Sequence, residues 1–411
     1  MEKDPSSVFA KKPHRLTRRR LMKMSIAAGI PTATALALTT DDVKATDSDQ
    51  VTIAFDIRGE NKKQVPADWY DQFIQAKEVN KEIKRNYKAH DAVAAIGVAG
   101  GDESQVLVTL DENHPEKDNI RGDMPERKDN VPIEFEEEAW ETNRVHVNDG
   151  ECTPHDSECN DQTTDVSQVP GGVQTSTFLG GDCTNGPRTV AGSCKRYLFG
   201  WTTAAHCLSD GNCQETSDDN KCQDRNGCAI DTAVDIFHDG IRYGQVICVD
   251  YELDIMYIER IEGVNGTEPV PEIVLPSDHS NSVHIKDTVG ESGMGTVLEE
   301  NWDCGDTKSG YTPTFRGIRS CEVSDGVVRR LDTYVGDELC GVDLDQQAEM
   351  KFDNDHYAPG DSGSVGYIKD SGDYFAIGSA TAQAACHACE VQWAGQGYTL
   401  QDRHNVWWSD L

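Results

Sequence analysis

The sequence predicts a mainly β fold preceded by a small α+β domain, and two observations support this. From about residue 176 onward, short apolar runs such as Tyr197 to Phe199 and Ile255 to Ile258 alternate with turns rich in Gly, Asp and Asn. Short strands separated by turn residues, without helical periodicity, are typical of β-barrels and sandwiches. In addition, all 14 cysteines lie at or beyond Cys152. The cysteine-free segment before that point is therefore predicted to be a separate unit.

Residues 46–148 are predicted to form the α+β domain. Val51 to Phe55 is β-prone, and a helix follows from about Ala67, with Trp69, Phe73 and Ile83 near one face. Further strands are predicted at Ala92 to Val98, Gln105 to Leu110 and Val131 to Phe135. The polar stretch 149–175 predicts a surface linker that proteases can cut. Residues 176–411 are then the β domain.

The charge of the chain excludes some classes of partner. Acidic residues outnumber basic ones 72 to 38, which gives a formal net charge of −34. Such an excess repels phosphates and anionic lipids, so neither nucleic acids nor membrane surfaces are expected partners. Acidic surfaces suit concentrated salt, where screening removes most of the self-repulsion. The charge therefore predicts a halophilic source and says little about activity.

The first 45 residues predict an export signal. Thr17-Arg18-Arg19-Arg20-Leu21-Met22-Lys23 is similar to the twin-arginine export motif, and a modestly apolar stretch from Ile26 to Leu38 follows it. That stretch is short for a bilayer span, and Val43-Lys44-Ala45 offers a cleavage site. We expect a secreted protein without a membrane span after signal removal; the alternative is an uncleaved anchor.

The even number of cysteines favours disulfides in an exported chain. The alternative is zinc, because the pair Cys386 and Cys389 and the trio Cys213, Cys222 and Cys228 could supply thiolates. No second CxxC pair follows at the spacing of a zinc finger. We therefore expect disulfides, no metal site and no cofactor.

Three short motifs supply the groups that a serine needs to hydrolyse an amide. Glycines flank Ser362 in Gly360-Asp361-Ser362-Gly363-Ser364, which allows a sharp turn. Thr203-Ala204-Ala205-His206-Cys207 places a histidine at the end of an apolar strand. Asp254 opens another apolar strand, where a buried carboxylate needs a partner such as an imidazole N–H. The three motifs occur in the order His, Asp, Ser.

These motifs, in this order, resemble the trypsin and chymotrypsin family of serine proteases, particularly its secreted bacterial and archaeal branch, over roughly residues 170–411. The resemblance implies two six-stranded antiparallel β-barrels with the active site between them. It implies an endopeptidase acting on polypeptides, with Ser362 as nucleophile, His206 as general base and then acid, and Asp254 as the orienting carboxylate. The N–H groups of Gly360 and Ser362 would form the oxyanion hole.

The resemblance also implies a disulfide and a specificity pocket. The disulfide would join Cys194 and Cys207, beside the histidine. The pocket is expected near His356, Ser379 and Thr381. Because His356 stands where a trypsin carries an aspartate, a preference for cleavage after Lys or Arg is not predicted.

Other interpretations of the motifs fit the sequence less well. An α/β-hydrolase elbow needs glycine where Ser364 stands, and Asp235 or Asp250 could replace Asp254 as the acid, although neither opens a comparable strand. The family's Ile-Val-Gly-Gly activation terminus is absent and Leu179-Gly180-Gly181 only weakly echoes it. Asp361 is therefore expected to have an internal partner, such as an arginine.

Residues 46 to about 150 are either a pro-domain that inhibits the enzyme until the linker is cut or a passive accessory domain. Acidic clusters at Asp353, Asp355 and Glu136 to Glu138 leave structural calcium open, although a solvated acidic surface is the simpler interpretation. The alternative function is an inactive trypsin-like module that binds proteins. The sequence does not indicate the oligomeric state.

Overall fold

The computed structural model describes thirteen stretches of the chain, which cover the three candidate motifs but not the predicted export signal. They are residues 50–100, 103–138, 168–177, 182–193, 196–208, 234–238, 240–261, 267–299, 310–324, 326–339, 342–353, 360–383 and 389–411. Residues 45–411 form one compact unit. Within the described stretches, no helix combines the length and apolarity needed to cross a membrane.

The described residues form 24 strands and four α-helices, so the prediction of a mainly β protein is confirmed. The first twelve strands are β1 Gln50–Ala54, β2 Lys62–Pro66, β3 Val93–Ala99, β4 Gln105–Asp111, β5 Arg127–Lys128, β6 Val131–Glu138, β7 Gln168–Gly171, β8 Gln174–Thr177, β9 Asp182–Thr184, β10 Thr189–Ser193, β11 Arg196–Thr203 and β12 Val234–His238. The others are β13 Ile241–Asp250, β14 Ile255–Arg260, β15 Glu268–Leu275, β16 Asp278–Thr288, β17 Phe315–Gly317, β18 Cys321–Val323, β19 Gly326–Leu339, β20 Val342–Asp353, β21 Val365–Asp370, β22 Asp373–Gln383, β23 Cys389–Gln396 and β24 Val406–Trp408. The helices are α1 Ala67–Tyr87, α2 Lys117–Asp123, α3 Glu291–Gly295 and α4 Gly397–His404.

An eight-stranded sheet carries the histidine and aspartate motifs. Its strand order is β24-β10-β11-β14-β13-β12-β8-β9, and its neighbours pair antiparallel. Its core forms around Trp201, which is fully buried, contacts Tyr243 edge to face at 4.8 Å between ring centroids, and donates Nε1–H to the Val169 carbonyl at 2.8 Å. This aromatic core supports the two strands, β11 and β14, that lead to the candidate site.

A twelve-stranded sheet combines strands from both ends of the chain. Its order is β5-β6-β4-β3-β19-β20-β23-β22-β16-β15-β7, with β21 paired to β22. Where the resemblance implies six-stranded barrels, this sheet is larger because the N-terminal strands join it: β3 pairs antiparallel with β19, placing Ile96 opposite Tyr334. Three pairs in it are parallel, namely β4 with β6, β15 with β7 and β16 with β22.

The N-terminal segment shares its hydrophobic core with the rest of the unit. Phe73 of α1 and Ile96 of β3 belong to the same buried cluster as Val328, Met350 and Phe352. The predicted helix and strands are present, but they pack as part of one core. Residues 139–167 lie outside the described residues, so the predicted domain boundary near residue 148 stays a prediction. The last part of the predicted linker, from residue 168 to 175, is wrong as a linker because it contributes to strands β7 and β8.

Two lysines lie on the buried face of α1, which the sequence pattern did not indicate. Lys77 forms ion pairs with Glu291 and, at 2.8 Å, with Asp332 of β19. Lys84, two turns further along, lies 2.5 Å from Asp345 of β20. Buried ammonium groups require such partners because desolvation otherwise disfavours the charged form. The helix is therefore joined to the large sheet by charge as well as by apolar packing.

Candidate active site

The pairing of β11 with β14 brings His206 to Asp254. The two strands are antiparallel neighbours with Thr203 opposite Met256, so the end of β11 lies beside the start of β14. His206 follows β11 in a short 3-10 helix, and Asp254 directly precedes β14. Their side chains meet at 2.7 Å between His206 Nδ1 and Asp254 Oδ2, and the His206 backbone N–H donates to Asp254 Oδ1 at 2.9 Å.

The Asp254 carboxylate contacts the imidazole from a fully buried position. Burial raises the pKa of Asp254, and the charge and hydrogen bonds of His206 oppose that increase. A carboxylate at this distance favours the tautomer with the proton on Nδ1, which leaves Nε2 as an acceptor. Asp254 also has a φ of 52°, a left-handed conformation that is uncommon outside glycine and often occurs at functional sites.

The other two candidate acids have different surroundings. Asp250 accepts the Leu253 N–H at 3.0 Å, and its carboxylate contacts Arg403 at 3.1 Å and His404 at 2.7 Å. Asp235 forms an exposed ion pair with Arg242. Of the three candidates, Asp254 is therefore the one that contacts His206.

The glycine-flanked turn packs against the end of β11. Gly363 has a φ of 88°, and a Cβ atom there would lie 2.2 Å from Thr203 Oγ1 and 2.7 Å from the Ala204 nitrogen. The Ser362 carbonyl accepts the Thr184 N–H at 2.9 Å. Only glycine allows this close approach, so the residue type at 363 places Ser362 near the His206 helix.

Ser362 and His206 are not hydrogen-bonded to each other in the parts of the chain that the structure describes. Ser362 itself is buried. Across the same stretches, the N–H groups of Gly360 and Ser362 donate no hydrogen bond to a described residue. Catalytic hydrogen bonds are commonly longer without substrate and tighten in the complex. The oxyanion role of these groups and the nucleophile role of Ser362 stay predictions.

The Asp361 carboxylate joins the glycine-flanked turn of Ser362 to the β17–β18 hairpin. Its Oδ1 accepts the backbone N–H of Arg319 at 2.7 Å, and its Oδ2 accepts that of Ser320 at 3.1 Å. Gly317 lies so close that an added Cβ would meet Asp361 Oδ1 at 2.2 Å. The carboxylate therefore accepts hydrogen bonds from backbone amides of the β17–β18 hairpin. Its pairing with an arginine side chain stays a prediction.

The predicted disulfide between Cys194 and Cys207 is wrong, because Cys207 is bonded to Cys183 with 6.3 Å between their Cα atoms. Cys194 lies outside the described residues, but its neighbours Ser193 and Arg196 pair at the opposite end of β11 from Thr203. Seven strand intervals separate the two ends, about 23 Å. That distance is far beyond the reach of a disulfide. Cys183 lies near Cys207 because Thr184, the next residue, accepts Thr203 Oγ1–H at 2.8 Å.

The predicted pocket residues are described only in part. His356 lies outside the described residues. Ser379 and Thr381 are buried in β22, where the Thr381 hydroxyl donates to Gln347 Oε1 at 3.2 Å. Within the described stretches, Ser379 Oγ has no hydrogen-bond partner. Their contribution to substrate specificity stays a prediction.

One group of potential metal ligands comes together in the described residues, formed by Cys183, His206 and Cys207. The two sulfurs are bonded to each other, so this group offers no thiolate to a metal. In the acidic cluster that left calcium binding open, Glu136 contacts Arg330 at 2.5 Å and also pairs with Arg329. These guanidinium groups lower the pKa of Glu136 to about 2 against the effect of burial. Asp355 lies outside the described residues.

Comparison with known proteins gives little further information. No protein-family model matches the chain, and no curated protein matches it. Two solved structures of the NS6 protease of murine norovirus are similar to it at 10% and 12% identity, each with a TM-score of 0.24, over 52% and 50% of this chain and 95% of that one. The passenger domain of the plasmid-encoded toxin of enteroaggregative Escherichia coli is similar at 13% identity and a TM-score of 0.25, over 63% of this chain and 25% of that one. At these TM-scores the likenesses do not establish a shared fold.

Proposed function

We propose that this chain is a serine endopeptidase of the chymotrypsin-like type that acts through Ser362, His206 and Asp254. The observation that supports it most is the pair of hydrogen bonds from His206 to the buried Asp254 carboxylate, beside the glycine-flanked turn of Ser362. A buried, oriented imidazole next to a serine on a tight turn is the arrangement that general-base activation of a hydroxyl requires.

In the proposed reaction, His206 Nε2 takes the proton from Ser362 Oγ as that oxygen attacks the carbonyl carbon of a peptide bond. The N–H groups of Gly360 and Ser362 stabilise the oxyanion of the tetrahedral intermediate. The C–N bond then breaks, and the imidazolium gives its proton to the leaving amine, which leaves an acyl-enzyme ester. Water attacks the ester, His206 takes its proton, and the proton returns to Ser362 Oγ as the carboxylic acid product leaves.

The test is labelling of the folded protein in concentrated salt with a fluorophosphonate probe, which reacts with an activated serine. We expect labelling of the wild type and none with Ser362→Ala or His206→Ala. Asp254→Asn should slow peptide hydrolysis by about ten-thousandfold because the imidazole then favours the wrong tautomer. Ser364→Ala is the matched control: Ser364 is a buried serine in the same turn, its Oγ has no partner among the described residues, and its loss should leave labelling intact.

Two results would contradict the proposal. If the folded wild type stays unlabelled and hydrolyses no peptide, a module that binds proteins without cleaving them becomes the better interpretation. If Ser364→Ala removes labelling and Ser362→Ala does not, the nucleophile has been assigned to the wrong serine.

The proposal extends to export by the twin-arginine route. It rests on the motif from Thr17 to Lys23 and on the acidic composition that suits folding in salt before export. Replacing Arg18 and Arg19 by Lys should keep the protein inside the cell, whereas Arg20→Lys, at the neighbouring position, should not. Export that continues in the double variant would exclude this route.

The N-terminal segment is proposed to be a permanent part of the enzyme, and inhibition by a removable pro-domain is the competing proposal. The permanent role is favoured because β3 pairs with β19 and because Lys77 and Lys84 pair with acidic groups beyond the segment. N-terminal sequencing of fully active secreted enzyme separates the two. A start near Thr46 agrees with the permanent role, and a start after residue 150 agrees with the pro-domain.

A further inference from the structure

The backbone that carries Asp254 needs support from outside its own strand. Asp254 has a positive φ, a strained conformation for a non-glycine residue that persists only where surrounding contacts fix it. On one side, the loop is held by Asp250, which accepts the Leu253 N–H. On the other side, the carbonyls of Glu252 and Leu253 point toward the twelve-stranded sheet, where they accept hydrogen bonds.

Two residues of strand β20 donate hydrogen bonds to the Glu252 carbonyl. The Asp345 N–H donates to the Glu252 carbonyl at 3.0 Å, and Gln347 Nε2 donates to the same oxygen at 2.9 Å. On its other face, Gln347 Oε1 accepts the Thr381 hydroxyl at 3.2 Å, and that hydroxyl lies 3.5 Å from the Leu253 carbonyl. Gln347 therefore joins the aspartate loop of the eight-stranded sheet to strands β20 and β22 of the other sheet.

Because Gln347 is buried, the hydrogen bonds of its amide matter for stability. Gln347 is fully buried, and a buried amide without hydrogen bonds would destabilise the folded state. Both ends of the amide have partners, and the partners belong to different sheets. Gln392 on neighbouring β23 gives the contrast: it is equally buried, and neither end of its amide has a partner among the described residues.

We infer that Gln347 is a positioning residue for the proposed reaction, acting through the Glu252 and Leu253 carbonyls to fix the Asp254 carboxylate against His206. The inference rests on the proposed function. It adds that the twelve-stranded sheet helps to orient Asp254 toward His206. Lys84 of the N-terminal helix, which lies 2.5 Å from Asp345 Oδ1, supports β20 next to this contact.

The experiment compares Gln347→Met with the matched control Gln392→Met, which makes the same change at an equally buried site in the same sheet. Peptide hydrolysis and the rate of fluorophosphonate labelling are measured in concentrated salt, well below the melting temperature of each variant. For Gln347→Met we expect kcat and the labelling rate to fall between about tenfold and a hundredfold with KM little changed, because small displacements of catalytic groups cost this much. Gln392→Met should match the wild type in both.

A purely structural role for Gln347 predicts a lower melting temperature with kcat within about twofold of the wild type, and that result would overturn the inference while leaving the proposed function intact. An equal loss of kcat in Gln392→Met would overturn it as well. If Gln347→Met does not fold, Thr381→Val replaces it in the test. This variant removes the hydroxyl that donates to Gln347 Oε1 and preserves the side-chain shape. An unchanged kcat in Thr381→Val would refute the positioning role. A wild type that neither labels nor hydrolyses peptides would refute the proposed function and this inference with it.

Discussion

The charge cluster under helix α1 offers a direct test of how the N-terminal segment is attached. Lys77 has 5% of its side chain exposed and lies between Glu291 and Asp332, with Nζ 5.1 Å from the centre of the Tyr398 ring. These two carboxylates raise the pKa of Lys77 against the effect of burial, so the lysine is charged in the folded protein. Lys77→Met removes the charge, keeps much of the apolar stem, and leaves two carboxylates facing each other without their cation.

The expected cost follows from the loss of one partner of a buried pair, which is about 3–5 kcal/mol. For a cooperative unit of this length the unfolding entropy is about 0.8 kcal/mol per kelvin, so the melting temperature should fall by about 4–6 °C. Lys81, one turn further along α1, is the matched control because it is exposed and pairs with exposed Glu78 at 2.9 Å. Lys81→Met should change the unfolding free energy by less than about 0.5 kcal/mol.

Thermal unfolding followed by circular dichroism, at low and at high salt, is the assay. The effect of Lys77→Met should persist in concentrated salt because ions do not screen a buried pair, whereas any effect of Lys81→Met should disappear. Melting temperatures of the two variants within 1 °C of each other, on the order of experimental error, would refute the view that buried charge attaches α1 to the sheet.

Three further predictions follow from the same structure. Removing the disulfide with Cys183→Ala and Cys207→Ala should cost about 3.5 kcal/mol of unfolding free energy, since it closes a loop of 24-residue separation, and denaturant titration measures this. Burial raises the pKa of Asp287 to about 7, above the unfolded value, so between these values the folded state holds a proton that the unfolded chain has lost. The free energy of unfolding should therefore fall as pH rises from about 4 to 7, and it should fall less in Asp287→Asn. Cleavage between residues 139 and 167 should leave 50–138 bound through the β3–β19 pairing, so that both fragments elute together in size-exclusion chromatography; separate elution without denaturant would show that the pairing is too weak to hold them.

The sequence alone identified the candidate chemistry because the motifs are local. A histidine after an apolar strand, an aspartate before another and a serine between glycines can each be recognised within a few residues. The structure places His206 Nδ1 2.7 Å from Asp254 Oδ2. The helix from Ala67 was likewise predicted because apolar periodicity is a local property. The same pattern did not reveal that Lys77 lies on the buried face, since its carboxylate partners are more than two hundred residues away.

Only the tertiary structure decided which distant residues meet. Family resemblance favoured Cys194 as the partner of Cys207, but Cys207 is bonded to Cys183, which lies next to Thr184, whose carbonyl accepts a hydrogen bond from Thr203 of β11. The pairing of β3 with β19 and the contact of Gln347 with the Asp254 loop are similarly invisible in the sequence. The physical reason is that residue type and spacing determine what a side chain can do, whereas strand order and register determine which partners lie within hydrogen-bonding distance.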